Sequence, residues 1–229
     1  LQAPEWIHFG GGNLFRGFQA YIAQRLLNEG LISTGIVVVE GFDTEVVEKV
    51  YHPHDDLSIL VTLKSSGATE RTVIGSVAKA IMLNKEYKED EKLIKEMFRN
   101  PSLKMVSFTI TEKGYCLADE KEQLFPAVEK DFSRGPKEAE SYMGKVAALM
   151  YERYLAGEYP VALVSMDNCS RNGDRLHGAM IAYAQKWYEH GFVEEGFVKY
   201  LGDTSKVSYP WTMIDKITPR PDEQIEELL

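Results

Sequence analysis

The sequence predicts an α/β protein with a doubly wound, mostly parallel sheet and helices on both faces. Short apolar runs rich in β-branched residues alternate with helix-like stretches, the pattern of strand–helix–strand units. Several of those runs, such as "GIVVVE" and "KMVSFTI", are apolar throughout rather than at alternate positions, which marks strands covered on both faces. A glycine cluster, "FGGGN", separates the first run from the first helical stretch, as a strand-to-helix turn under a ligand would require.

Each element follows from its own local chemistry. "WIHFG" is the first strand. Residues 15–29 carry Phe18, Ile22 and Leu26 at helical spacing and stop at Gly30, a good helix terminator. "GIVVVE" (35–40) is a buried strand, and "DTEVVEKVY" opens on Asp43, an N-cap candidate for a short helix. Residues 57–64 and 69–81 read as a strand pair joined by "SSGA". A helix over 87–100 is closed by Pro101, and "KMVSFTI" (104–110) is the next buried strand. "DFSRGPKE" (131–138) is the most loop-like stretch, and 137–157 reads as a long helix. "PVALVSMDN" (160–168) is a strand ending in polar residues, followed by a helix over 174–191.

From about Ser208 the composition turns rich in proline and turn residues. The expected division is a ligand-binding domain over 1–207 and, over 208–229, the start of a connection to a further domain. The chain begins at Leu1 without a methionine and stops in the acidic, helix-like "DEQIEELL", so it reads as a piece of something longer. Tyr209, Trp211 and Met213 are then expected to be apolar cover for the remainder.

Composition narrows the function. The 229 residues are 44% apolar and 27% charged, ordinary for a globular chain with a sizeable core. The net charge of −9 argues against a nucleic-acid partner, because phosphate binding wants a basic field. No apolar run approaches the about 20 residues of a membrane span. Cys116 and Cys169 stand alone, with no zinc-ligand spacing, so no metal is expected and the cytoplasm is the expected location.

In doubly wound sheets ligands sit beyond the carboxyl ends of the strands. Gly10, Gly11 and Gly12 would let backbone N–H groups approach a pyrophosphate, with the dipole of the following helix adding to the attraction. The usual third glycine of the G-x-G-x-x-G fingerprint is replaced by Phe15, so the motif is incomplete. Asn13, Phe15 and Arg16 would wall the turn. Arg16 would either neutralise phosphate charge or tie the loop down. Glu40 closes the second strand, where an acid binds the adenosine ribose hydroxyls and favours NAD over NADP; Asp43 is the alternative for that task. Thr111, Glu112 and Lys113 end one later strand. Ser165, Asp167, Asn168, Asn172 and Gly173 end another. Asn168 can donate a hydrogen bond to a carbonyl oxygen gaining charge, whereas Asp167 and Asn172 could instead be caps and turn residues. So dense a polar run favours function over turn chemistry. His8, inside the first strand, reads as a satisfied core histidine. The chain shows no nucleophile elbow and no P-loop.

Taken together, "FGGGNLFRGF", "TEKGY", "SMDNCSRNGD" and "YPWTMIDKITPRP" resemble, in order, the N-terminal motifs of the polyol-specific long-chain dehydrogenases, the mannitol dehydrogenase family. The resemblance runs from Trp6 to about Pro221 and is strongest in the last two segments. It implies an NAD-binding Rossmann-type domain followed by a helical C-terminal substrate domain. It also implies metal-free hydride transfer between nicotinamide and C2 of a polyol or sugar acid. "GNLFRGF" and "GIVVVE" look most like the hexuronate reductases, which interconvert D-fructuronate and D-mannonate; mannitol 2-dehydrogenase and tagaturonate reductase are the alternatives within the family. A nucleotide-binding fragment without activity of its own is a further reading, and a methyltransferase, which also uses a glycine turn and an acidic strand end, is disfavoured by the later motifs. The resemblance assigns Asn168 to hold the substrate oxygen and Asp215 to the substrate pocket, beside Lys216 where many relatives carry arginine. The family's catalytic lysine belongs to a Lys-x4-Asn-x2-His pattern beyond this chain. Lys95 and Asn100 match the first part by accident, and Leu103 stands where the histidine would be.

Overall fold

The structure, a computed structural model, describes residues 2–218. In chain order the elements are β1 (Trp6–Phe9), α1 (Ala20–Asn28), β2 (Ile36–Glu40), α2 (Thr44–Val46), β3 (Ser58–Leu63), β4 (Thr69–Ile74), β5 (Val77–Met82), α3 (Lys88–Arg99), β6 (Met105–Phe108), α4 (Pro126–Arg134), α5 (Tyr142–Gly157), β7 (Val161–Ser165), α6 (Asn172–Glu189), α7 (Glu195–Gly202) and β8 (Val207–Ser208). Wide π-type turns at Phe15–Gln19 and Val47–Tyr51 lead into α1 and extend α2.

The main sheet runs β5-β2-β1-β6-β7-β8, with every neighbouring pair parallel. Numbered along the chain within this sheet, the order is 3-2-1-4-5-6, that of dinucleotide-binding Rossmann folds. The predicted doubly wound sheet is therefore present. One core layer joins Ile7, Phe9, Val37 and Val39 to α3, α5, α6 and α7, and the other joins Ile36 and Val38 to Phe15, α1 and Tyr51. Adjacent residues of β2 thus enter opposite cores, which is why "IVVV" carries no polar position.

Several expectations are corrected. The strand expected over 69–81 breaks at Gly75 and Ser76. Before the break, β4 forms an antiparallel hairpin with β3 outside the main sheet. After it, β5 joins β2, because the Ser76 hydroxyl donates to the Ala20 carbonyl (2.6 Å) and its own carbonyl accepts Ile36 N–H (2.8 Å). The helix expected from 137 starts at Tyr142, capped by the Ser141 hydroxyl, which accepts Gly144 N–H (3.1 Å). The stretch expected to be loop begins inside α4. There the buried Asp131 accepts the N–H groups of Glu140 (2.7 Å) and Ser141 (3.0 Å), folding the chain into α5. Asp43 precedes α2 without a side-chain capping bond. Tyr209 packs on the core rather than standing as cover for another domain, while Trp211 and Met213 are exposed. "DEQIEELL" lies outside the described residues.

His8 ties the two central strands together. It is buried, stacks on Phe15 (4.3 Å between centroids), and bonds through its ring nitrogens to the Ser107 (2.7 Å) and Thr109 (2.9 Å) hydroxyls. Desolvation pushes its pKa down to about 3, against a smaller opposing effect of the Gly10 backbone. The folded state therefore holds a neutral ring, and this contribution to stability is complete above the unfolded value of 6.5 and lost as pH falls toward 3. We predict that His8→Gln flattens the pH dependence of unfolding free energy measured in urea. The wild type should lose about 2 kcal/mol more than the variant on going to roughly pH 5.

Candidate functional site

The strand order reverses between β1 and β6, so the crevice of this fold lies between their carboxyl ends. Gly10 has φ +103°, and a Cβ there would press onto the Thr109 carbonyl of the neighbouring strand. At Gly11 a Cβ would lie 2.8 Å from Val38 and 2.9 Å from Tyr51. Only glycine fits at either place. Gly12 is exposed with nothing within 4 Å of an added Cβ, so the outer side of the turn is open.

Three side chains hold the turn. Gly11 N–H donates to the Glu40 carboxylate, while Gly11 O accepts from Arg16 Nη1 (2.8 Å) and the Tyr51 hydroxyl (2.8 Å). Arg16 also donates to the Asn13 side-chain oxygen, so it ties the loop down. Phe15 is buried beneath His8, part of the core under the turn rather than its wall. Glu40 extends β2 from the register pair Phe9–Val39, so the strand pairing sets it beside the glycines despite their sequence separation. Burial raises its pKa; the Gly11 N–H opposes this, and the nearby Asp43 adds to it. Asp43 itself is exposed.

At the β6 end, Thr111 takes φ +65°, costly for a β-branched residue. Asp167, beyond β7, secures it. Its carboxylate accepts Ile110 N–H (3.0 Å), Thr111 N–H (2.9 Å) and the Tyr115 hydroxyl (2.6 Å). Asp167 therefore supports the loop, the turn-chemistry alternative of the sequence. Glu112 pairs with Arg175 of α6 (2.9 Å), and Lys113 is exposed. Asn168 is exposed at the tip of β7. Asn172 is buried, donating to Thr212 Oγ1 (2.7 Å) and accepting Thr212 N–H (3.1 Å). The following segment reaches Gly17, where Thr218 would lie 3.4 Å from an added Cβ. Asp215 and Lys216 lie between these anchors, both exposed. Lys95 is paired with Glu91 within α3 (2.6 Å), and Asn100 donates to Gln2 O (2.9 Å) near the amino end of β1, away from the crevice.

The residues present suit a dinucleotide: an open glycine turn, the unpaired N–H groups of a helix start, and a carboxylate at the β2 tip. The family description "Mannitol dehydrogenase Rossmann domain" matches residues 4–229. The chain belongs to the mannitol dehydrogenase family. It is 50% identical over 228 residues to a D-mannonate oxidoreductase of Thermotoga maritima, covering all of this chain and 42% of that protein. It is 28% identical to a D-arabinitol 4-dehydrogenase of Klebsiella pneumoniae, covering 94% of this chain and 45% of that one. Among solved structures, the mannitol 2-dehydrogenase of Pseudomonas fluorescens, a ternary complex with NAD and D-mannitol, superposes with a TM-score of 0.80 at 26% identity, covering 99% of this chain and 44% of that one. This mannitol dehydrogenase family chain thus spans less than half the length of these relatives.

Local sequence signals missed the holding roles of Tyr51 and Tyr115, because their partners lie 40 or more residues away. We predict that Asp167→Asn, which offers a single acceptor oxygen to three donors, lowers unfolding free energy by about 1–3 kcal/mol in urea titrations.

Proposed function

We propose that this chain is the cofactor portion of an NAD-dependent oxidoreductase that interconverts D-fructuronate and D-mannonate by hydride transfer at C2. The Glu40 carboxylate at the glycine turn carries the cofactor reading, and the 50% identity to a D-mannonate oxidoreductase across the whole chain favours the sugar acid. Gly10, Gly11 and Gly12 give the pyrophosphate room against the start of the first helix, with Asn13, Phe15 and Arg16 holding the turn in shape. Glu40, rather than the exposed Asp43, accepts the ribose hydroxyls and repels a 2′-phosphate. Thr111, Glu112 and Lys113 border the opposite wall. When bound, the nicotinamide supplies or accepts the hydride. Asn168 donates its amide to the substrate oxygen, and Asp215 and Lys216 flank the sugar acid. The proton belongs to a lysine of a C-terminal domain that completes the substrate pocket beyond residues 208–229. A cytoplasmic location accords with this chemistry; among the described residues no helix is long and apolar enough to cross a membrane.

Calorimetric titration of the full-length protein should show saturable NADH binding at least about tenfold tighter than NADPH. Glu40→Gln keeps an acceptor for Gly11 N–H and removes the charge. It should narrow that preference about tenfold. Because burial raises the Glu40 pKa, ionisation costs folded-state stability as pH rises above the ordinary carboxylate value. The same variant should therefore melt no lower than the wild type at neutral pH, as read by scanning calorimetry. Turnover of mannitol or tagaturonate without fructuronate would overturn the choice of substrate.

A further inference from the structure

We propose that the outer face of Phe42 is the stacking platform for the cofactor's adenine, backed by Tyr142, so that this aromatic pair sets the affinity for the adenosine half. The inference rests on the cofactor reading above and assigns residues that the sequence motifs left unused.

Phe42 lies two residues beyond Glu40 and is 70% exposed, a costly place for a large apolar ring. Its orientation is nonetheless fixed. The ring lies parallel to Tyr142, 4.5 Å between centroids with planes 4° apart. Tyr142, the first residue of α5, is 7% exposed and set edge-on against Phe9 of the core (6.0 Å, 77°). The intervening backbone is pressed onto the same ring: a Cβ at Gly41 would come 2.8 Å from Tyr142. One face of Phe42 is therefore filled by a rigid neighbour and the other is open. Leu83, whose N–H donates to the Glu40 carbonyl (2.7 Å), closes the side toward β5. The Tyr142 hydroxyl is buried without a hydrogen-bond partner among the described residues, so the pair brings no polar competitor to the open face. A purine joined to a ribose held by Glu40 would gain from a flat apolar surface on the same loop. Phe42 supplies it, and π-stacking tolerates the base's orientation better than hydrogen bonds would.

The test uses full-length protein and three titrants: NADH, ADP-ribose, and reduced nicotinamide mononucleotide, which lacks the adenosine half. Phe42→Ala should weaken NADH and ADP-ribose about tenfold each and leave the mononucleotide unchanged. Phe42→Trp should restore both. An equal loss for the mononucleotide would reveal general damage to the loop and overturn the platform, as would an unchanged ADP-ribose affinity in Phe42→Ala. Wild-type protein that binds neither NADH nor ADP-ribose would overturn the cofactor reading itself, and the platform with it.

Discussion

The close approach of β1 and β6 at Gly10 and Thr109 is the constraint on which the site depends. Two parallel strands that meet here send their following segments to opposite faces of the sheet, and a crevice opens between them. Nothing larger than a hydrogen fits between Gly10 and the Thr109 carbonyl. Directly below, His8 is held neutral between the hydroxyls of Ser107 in β6 and Thr109 just beyond it, so the junction is braced without a buried charge. The glycine turn on one side and the Thr111 loop on the other inherit their positions from this junction.

Two buried carboxylates at the carboxyl ends of β2 and β7 have been given different work by their surroundings. Asp167 is engaged by two backbone N–H groups and a tyrosine hydroxyl, and it holds a threonine at positive φ. Both of its oxygens accept from groups of the protein itself. Glu40 is also buried, but desolvation outweighs its hydrogen bonds and raises its pKa. Further donors at a carboxylate under that penalty would stabilise its charge, which is the part the proposed function gives to the ribose hydroxyls. The same chemical group thus braces a loop at the β7 end and, under the proposed function, also meets the ligand at the β2 end.

Arg153 shows the opposite end of the sheet to be equally committed. Its buried guanidinium donates to the carbonyls of Phe98, Asn100, Leu103, Tyr159 and Pro160. It thereby joins α5 to the chain entering β6 and β7. With the lower ends of the strands locked, variation is left to the upper loops, where binding residues gather.

The sequence by itself determined the parallel α/β class, the glycine turn, and the acid closing β2, because these rest on local signals: unbroken β-branched runs, residues without a Cβ, and a charge at a strand end. It also left the right pair of alternatives for Arg16 and Asp167, since their residue types permit both roles. Only the tertiary structure shows what each one holds, by bringing Gly11 to Arg16 and the backbone of Ile110 and Thr111, just beyond β6, to Asp167. It alone divided the run over 69–81 into a hairpin strand and a sheet strand, because Ser76 meets α1 and β2 there. It alone placed Phe42 against Tyr142, 100 residues later. Periodicity reports which way a side chain faces along its own element; what it faces is decided when distant elements pack.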